Sequence, residues 1–199
     1  MDTPTPQIQE RTLIKTQAIS GLIFAAFLAL HLTNTLTALS GQSSFDGAIA
    51  LFRKFYQLPI IEIGVIGAAL VHMWAGLTRG LRRRRRAKER GEASAASLRV
   101  RLHRLSGYYL LLAFAGHVAA TRGPGLFFDL PADMSFLTYS LSTYGWFFYP
   151  YYFGLFASGA FHLVNGALIA LRIVKVRVPK PLLATSSKPF WAATGVLAV

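Results

Sequence analysis

Apolar residues gather in four long stretches, at about 16–39, 57–78, 105–121 and 146–171, with the polar residues collected between them. A membrane-crossing helix needs about 20 mainly apolar residues, so each stretch predicts one span. The first, third and fourth hold no Asp, Glu, Lys or Arg, and the second holds a single carboxylate, Glu62. A fifth apolar piece, 189–199, would reach only about 17 Å as a helix, about half of the hydrocarbon core, and predicts a truncated or partial fifth helix. Residues 1–14 read as a polar tail without the basic, then apolar, then small order of a cleaved leader. The expected architecture is an all-α integral membrane bundle: a tail over 1–14, four full transmembrane helices in up-down-up-down order over 15–188, and the partial helix over 189–199.

Composition supports this reading and gives it a direction. Of 199 residues, 53% are hydrophobic and 15% charged, and the mean hydropathy is +0.43, yet the net charge is +13. All but three of the 21 Lys and Arg fall on the face shared by the N-terminus, the 79–104 loop and the segment after Leu171; Arg53, Lys54 and Arg122 fall on the other. Basic loops stay inside, so the first face is expected to be cytoplasmic in a bacterial membrane, or to face the matrix in a mitochondrial inner membrane. The rule is less decisive in a mitochondrial outer membrane. The run Arg82 to Arg86, continued by Lys88 and Arg90, would suggest nucleic acid in a soluble protein. Directly after a span it predicts a stop-transfer loop on anionic lipid headgroups, or a docking surface for an acidic partner, with no nucleic acid involved. The chain has no cysteine, which excludes disulfides, thiolate metal sites, iron–sulfur ligands, a catalytic thiol and covalent haem attachment.

The candidate chemistry lies in a loose two-fold parallel repeat, with halves at about 15–90 and 100–180. Ser20-Gly21 precedes His31 as Ser106-Gly107 precedes His117, and His72 precedes Gly76 and Arg82 as His162 precedes Gly166 and Arg172. Counted from the basic anchors at 1.5 Å per residue, His31 and His117 lie about 24 and 20 Å deep, His72 and His162 about 10 and 15 Å. Two levels result, about 10 Å apart. In an up-down-up-down bundle the first and third spans are diagonal, as are the second and fourth, so each level faces two imidazoles across the core.

Ionisable side chains inside a membrane are costly and mark function by default. Three readings stay open for the four histidines: axial ligation of two b-type haems, hydrogen bonding between helices, and another metal. Zinc is disfavoured because neither pair has the further ligands that its tetrahedral site needs. Two histidines on each iron leave no open coordination position, which suits electron transfer and leaves the chain without a complete catalytic site. Gly21 and Gly107 would leave room for a porphyrin plane, or serve ordinary close packing of helices. His103 falls outside the pattern, in the basic interface beside Arg101 and Arg104. Glu62, near the deeper level, is the one carboxylate within a span and reads either as an interfacial, solvated side chain or as a proton-handling group near one haem. The cluster Trp146, Phe147, Phe148, Tyr149, Tyr151, Tyr152 and Phe153 reads as an interfacial belt.

The stretches SGLIFAAFLALHLTN (20–34), LPIIEIGVIGAALVHMWAG (58–76), HRLSGYYLLLAFAGHVAATR (103–122) and FHLVNG (161–166) resemble the five-helix dihaem cytochrome b anchor of succinate dehydrogenases and fumarate reductases. The resemblance covers most of 15–180, and its specific part is the spacing of the four histidines. It implies two haem b groups, a distal one on His31 and His117 and a proximal one on His72 and His162. It also implies flavoprotein and iron–sulfur subunits on the basic face and a quinone as redox partner, making the chain an electron-transfer subunit of an oxidoreductase. The segments LALHLTNT (28–35), YQLPIIE followed by ALVH (56–72), and HRLSGYYLLLAFAGHVAATR followed by DMSFLTYSL (133–141) are also similar to the Mdm-complementing proteins of the mitochondrial outer membrane. That likeness implies a role in lipid homeostasis, with the histidines kept and no dehydrogenase partner.

Overall fold

The computed structural model describes residues 6–91 and 96–179, and every regular element among them is helical. The order is α1 (Pro6–Leu36), a 3-10 turn (Thr37–Ser40), α2 (Gln42–Tyr56), α3 (Pro59–Arg90), α4 (Leu98–Phe127), α5 (Met134–Thr143) and α6 (Gly145–Ile173). The expected partial fifth helix, 189–199, lies outside the described residues. Three stretches are long and apolar enough to cross a membrane: α1 with its following turn, α3, and α6. Helix α4 has the length, 30 residues, but Arg104 and Arg122 confine its uncharged run to 105–121, and Tyr108, Tyr109 and His117 lower the hydropathy within it.

The packing is that of a membrane protein. Small residues fill the interior, among them Ala18, Ala68, Ala69, Ala75, Ala160 and Ala170, while Ile63, Trp74, Leu112 and Phe153 are exposed on the outside. Lipid replaces water around such a surface, and small interior residues let helix backbones approach closely. Helix α1 packs along both α3 and α6, and α6 also packs along α4. Hence α1 stands diagonal to α4 and α3 to α6, the placement expected of an up-down-up-down bundle, while α3 and α4 keep their backbones apart and meet through side chains such as Arg84 over the Tyr108 ring.

Local chemistry sets the helix ends. Pro59 occupies the first turn of α3, where its missing N–H is harmless, and Gly91 ends that helix at φ +62°, a left-handed position that glycine accepts without strain. The Asp133 carboxylate caps α5 by accepting the Phe136 N–H at 3.1 Å and the Ser135 hydroxyl at 2.6 Å. Those two donors hold its carboxyl below the ordinary aspartate value, the Ser135 hydroxyl foremost.

Two expectations change. Helix begins at Pro6, so most of the supposed N-terminal tail is helical, and Glu10 sits 3.6–3.8 Å from Arg79, Arg82 and Arg86 at the far end of α3. The connections on the second face are also helical in part. Helices α2 and α5 are tied together there, the Met134 N–H donating to Asp46 Oδ1 at 2.8 Å and Arg53 Nη2 to the Ala132 carbonyl at 2.6 Å.

Candidate functional site

The diagonal arrangement brings the four predicted histidines together in two pairs. His31 of α1 and His117 of α4 have ring centres 5.9 Å apart with planes at 78°; His72 of α3 and His162 of α6 are 6.2 Å apart at 86°. Two imidazoles on opposite sides of one metal ion, each bonded at about 2 Å, place their ring centres about 6 Å apart. Both pairs have that spacing.

Hydrogen bonds fix which nitrogen is free in the second pair. His72 Nδ1 lies 2.9 Å from the Gln17 carbonyl oxygen, which can only accept, so Nδ1 carries the proton and Nε2 keeps its lone pair. Ser106 Oγ donates to the His103 carbonyl at 3.0 Å, which leaves it to accept from His162 Nδ1 at 3.1 Å. The same tautomer follows at both histidines, the one a ligand needs when its second nitrogen is held by an outer partner. At the first pair the Thr35 and Thr121 hydroxyls return to the His31 and His117 carbonyls at 3.0 and 2.7 Å, and Phe27 stacks on His31 with ring centres 5.7 Å apart.

Gly21 and Gly107 belong to the second pair's level. A Cβ on Gly21 would lie 2.7 Å from His72 Cε1 and Nδ1, and one on Gly107 3.0 Å from His162 Cε1. Each glycine therefore makes room for an imidazole from the neighbouring helix. Since Gly21 is ten residues before His31 and Gly107 ten before His117, the two levels are about 15 Å apart, wider than the anchors suggested. The anchors do not share a plane: Gly107, only three residues inside Arg104, meets His162, which is ten inside Arg172.

His72 and His162 line a cavity of about 420 Å³ whose other lining groups include Gly21, Gly107 and His103. Its walls are chiefly apolar, and Arg79, Arg83 and Arg104 also border it. His103, which falls outside the sequence repeat of the four histidines, thus belongs to this site. The signal that could have found it is the offset of 86 relating His31 to His117, which also relates Gln17 to His103.

Glu62 lies away from this cavity, in a two-pronged ion pair with Arg122: Nε to Oε1 at 2.5 Å and Nη2 to Oε2 at 3.1 Å. The pair joins the start of α3 to the end of α4, each side chain about a quarter exposed. With the Glu62 carboxylate left unpaired, Arg122→Gln is expected to destabilise the bundle by about 1–3 kcal/mol. Adding Glu62→Gln should recover much of that loss in detergent thermal unfolding. Strictly additive effects of the two changes would count against the coupling. The aromatic cluster forms a ladder along α6, with Phe147 stacked on Tyr151 and Phe148 on Tyr152, while Trp146, Tyr149 and Phe153 are exposed.

Among the described residues no group of three or more His, Cys, Asp or Glu could hold a bare metal ion. What the chain offers is two-histidine pairs, one of them beside an apolar cavity. Fold and site together define an all-helical membrane protein with histidines paired across its core. The chain matches no family model, no curated protein and no solved structure.

Proposed function

We propose that this chain is a b-type dihaem cytochrome of the membrane, with His31 and His117 as axial ligands of a distal haem and His72 and His162 as those of a proximal one. In this reading all four long helices cross the membrane and α1–α3 and α4–α6 are the two halves of a parallel repeat. The observation that carries it is the proximal pair, whose rings are spaced for one metal ion and whose Nδ1 protons are both committed to outer partners. A haem held there by His72 and His162 would supply one-electron redox chemistry. The chain's own residues hold the ligands: Gln17 and Ser106 fix the tautomers, Gly21 and Gly107 admit the rings, and the apolar walls of the cavity exclude water. Arg79, Arg83 and Arg104 offer cations to any carboxylate at the cavity.

The likeness to the succinate dehydrogenase and fumarate reductase anchors makes electron transfer between quinol and a partner dehydrogenase on the basic face the first role. The second is that of the Mdm-complementing proteins, a lipid-homeostasis role in a mitochondrial outer membrane. The Glu62–Arg122 pair favours the second, because it takes up the carboxylate that a quinone site would draw on. Mild-detergent purification separates them, since only the first requires flavoprotein and iron–sulfur subunits to accompany the chain. For the shared core of both, a reduced-minus-oxidised spectrum with pyridine haemochrome stoichiometry is expected to give two b-type haems per chain. A colourless, well-folded preparation after expression with ample haem supply would refute the ligand assignment.

A further inference from the structure

We infer that His103 is a positioning residue for His162: its flat ring sets the plane of the proximal ligand. The inference rests on the haem reading above and adds a role that the four-ligand scheme does not contain. The His103 and His162 rings lie face to face, 4.2 Å between centres and 7° between planes, whereas the planes of the two cross-core histidine pairs are steeply crossed, at 78° and 86°. Among the described residues His103 Nδ1 is buried with no hydrogen-bond partner, and none of them competes at that nitrogen with the stack in fixing the ring. A second contact runs through the backbone, because Ser106 joins His162 Nδ1 to the His103 carbonyl.

The surroundings hold both rings in register. A Cβ on Gly166, one turn beyond His162, would sit 3.4 Å from His103 Cε1, so the His103 ring packs directly against this turn of α6. One turn before His103, the buried Arg99 donates Nε to the buried Asn165 at 2.5 Å and pins α4 to α6. The other half has Gln17 in the place of His103. Its carbonyl receives the His72 proton, but its side chain turns to Arg79, accepting Nη1 at 2.5 Å. Holding the tautomer therefore needs only the backbone at this position. The aromatic ring at 103 adds control over orientation.

That control has a readable consequence. The His72 and His162 planes stand at 86°, and the angle between two axial imidazoles sets the splitting of the iron d orbitals. Near-perpendicular planes give a strongly anisotropic low-spin EPR signal, and planes nearer parallel give an ordinary rhombic one. The experiment compares EPR spectra and redox titrations of the full-length wild type, His103→Ala and His103→Phe in the same detergent. Expected is full retention of two haems in all three. His103→Ala should shift the low-field g value and the midpoint potential of one haem, the one removed by His72→Ala, and leave the other unchanged. His103→Phe should restore both, because a phenyl ring stacks without supplying a nitrogen. Unchanged g value and potential in His103→Ala would overturn the inference. So would loss of a haem, or a high-spin signal, in both variants, since either makes His103 a ligand. A wild type without haem defeats the dihaem reading itself; a haem-loaded wild type with silent His103 variants defeats only this inference.

Discussion

His72→Ala is expected to purify with one haem per chain in place of two, and His162→Ala to give the same product. His31→Ala and His117→Ala should also lose one haem each, but the other one, so the four single variants fall into two spectroscopic classes. The classes follow from the diagonals of the bundle. Helices α3 and α6 do not share a packed edge, yet they bring His72 and His162 to 6.2 Å across the core, and α1 and α4 do the same for His31 and His117 at 5.9 Å. Each site needs both imidazoles, so the double variant His72→Ala/His162→Ala should lose no more haem than either single one, the non-additivity of residues acting as a unit. A redox titration checks this directly, with two waves in the wild type and one in each variant. The remaining wave should have the same midpoint within a class and a different midpoint between classes. If His72→Ala instead matched His31→Ala, ligation would run along the α1–α3 edge and the diagonal assignment would be wrong.

Much of this arrangement is legible in the sequence because it depends on periodic features. Apolar stretches locate the long helices, and the sorting of Lys and Arg brings the start of α1 beside the end of α3, where Glu10 meets Arg79, Arg82 and Arg86. The equal spacing from Ser-Gly to histidine predicts which rings share a level. What escapes the sequence depends on contacts between distant residues. Glu62 and Arg122 are 60 positions apart, and no local pattern announces their pair. Counting from the anchors underestimates the level spacing because Arg104 and Arg172 are not equivalent rulers, as the contact of Gly107 with His162 shows. Helix α2 has amphipathic spacing, with Phe45 buried and Leu51 and Phe55 exposed, but its length is short of a span and its segment reads as a loop beside the longer apolar stretches. The basic neighbours Arg101 and Arg104 place His103 at the interface by sequence, although its ring turns inward to His162.

The second large effect is expected from a single methyl group. Gly21→Ala would place Cβ 2.7 Å from both Cε1 and Nδ1 of His72, closer than real Cβ atoms come to other heavy atoms. Something must move, and the imidazole is poorly able to. Its Nδ1–H is bound to the Gln17 carbonyl at 2.9 Å, one turn earlier on the same helix as the glycine, so displacing the ring breaks the bond that fixes its tautomer. Overpacking of this kind costs about 1–3 kcal/mol, and loss of an outer partner to a ligand weakens metal binding about 10–100-fold. The proximal haem should therefore be lost from Gly21→Ala to an excess of apomyoglobin about 10–100 times faster than from the wild type, with the distal haem unaffected. Gly107→Ala should act in the same direction but less, because its Cβ would stand 3.0 Å from His162 Cε1 and 3.5 Å from Nδ1. Gly116 and Gly67 supply the controls. Among the described residues nothing lies within 4 Å of where either Cβ would go, so alanine there should leave both haem-loss rates as they are, even at Gly116, next to His117. A general weakening of helix packing by added methyl groups predicts no such ranking. Equal effects at Gly21, Gly107 and Gly116 would remove the basis for assigning the first two glycines to the proximal site.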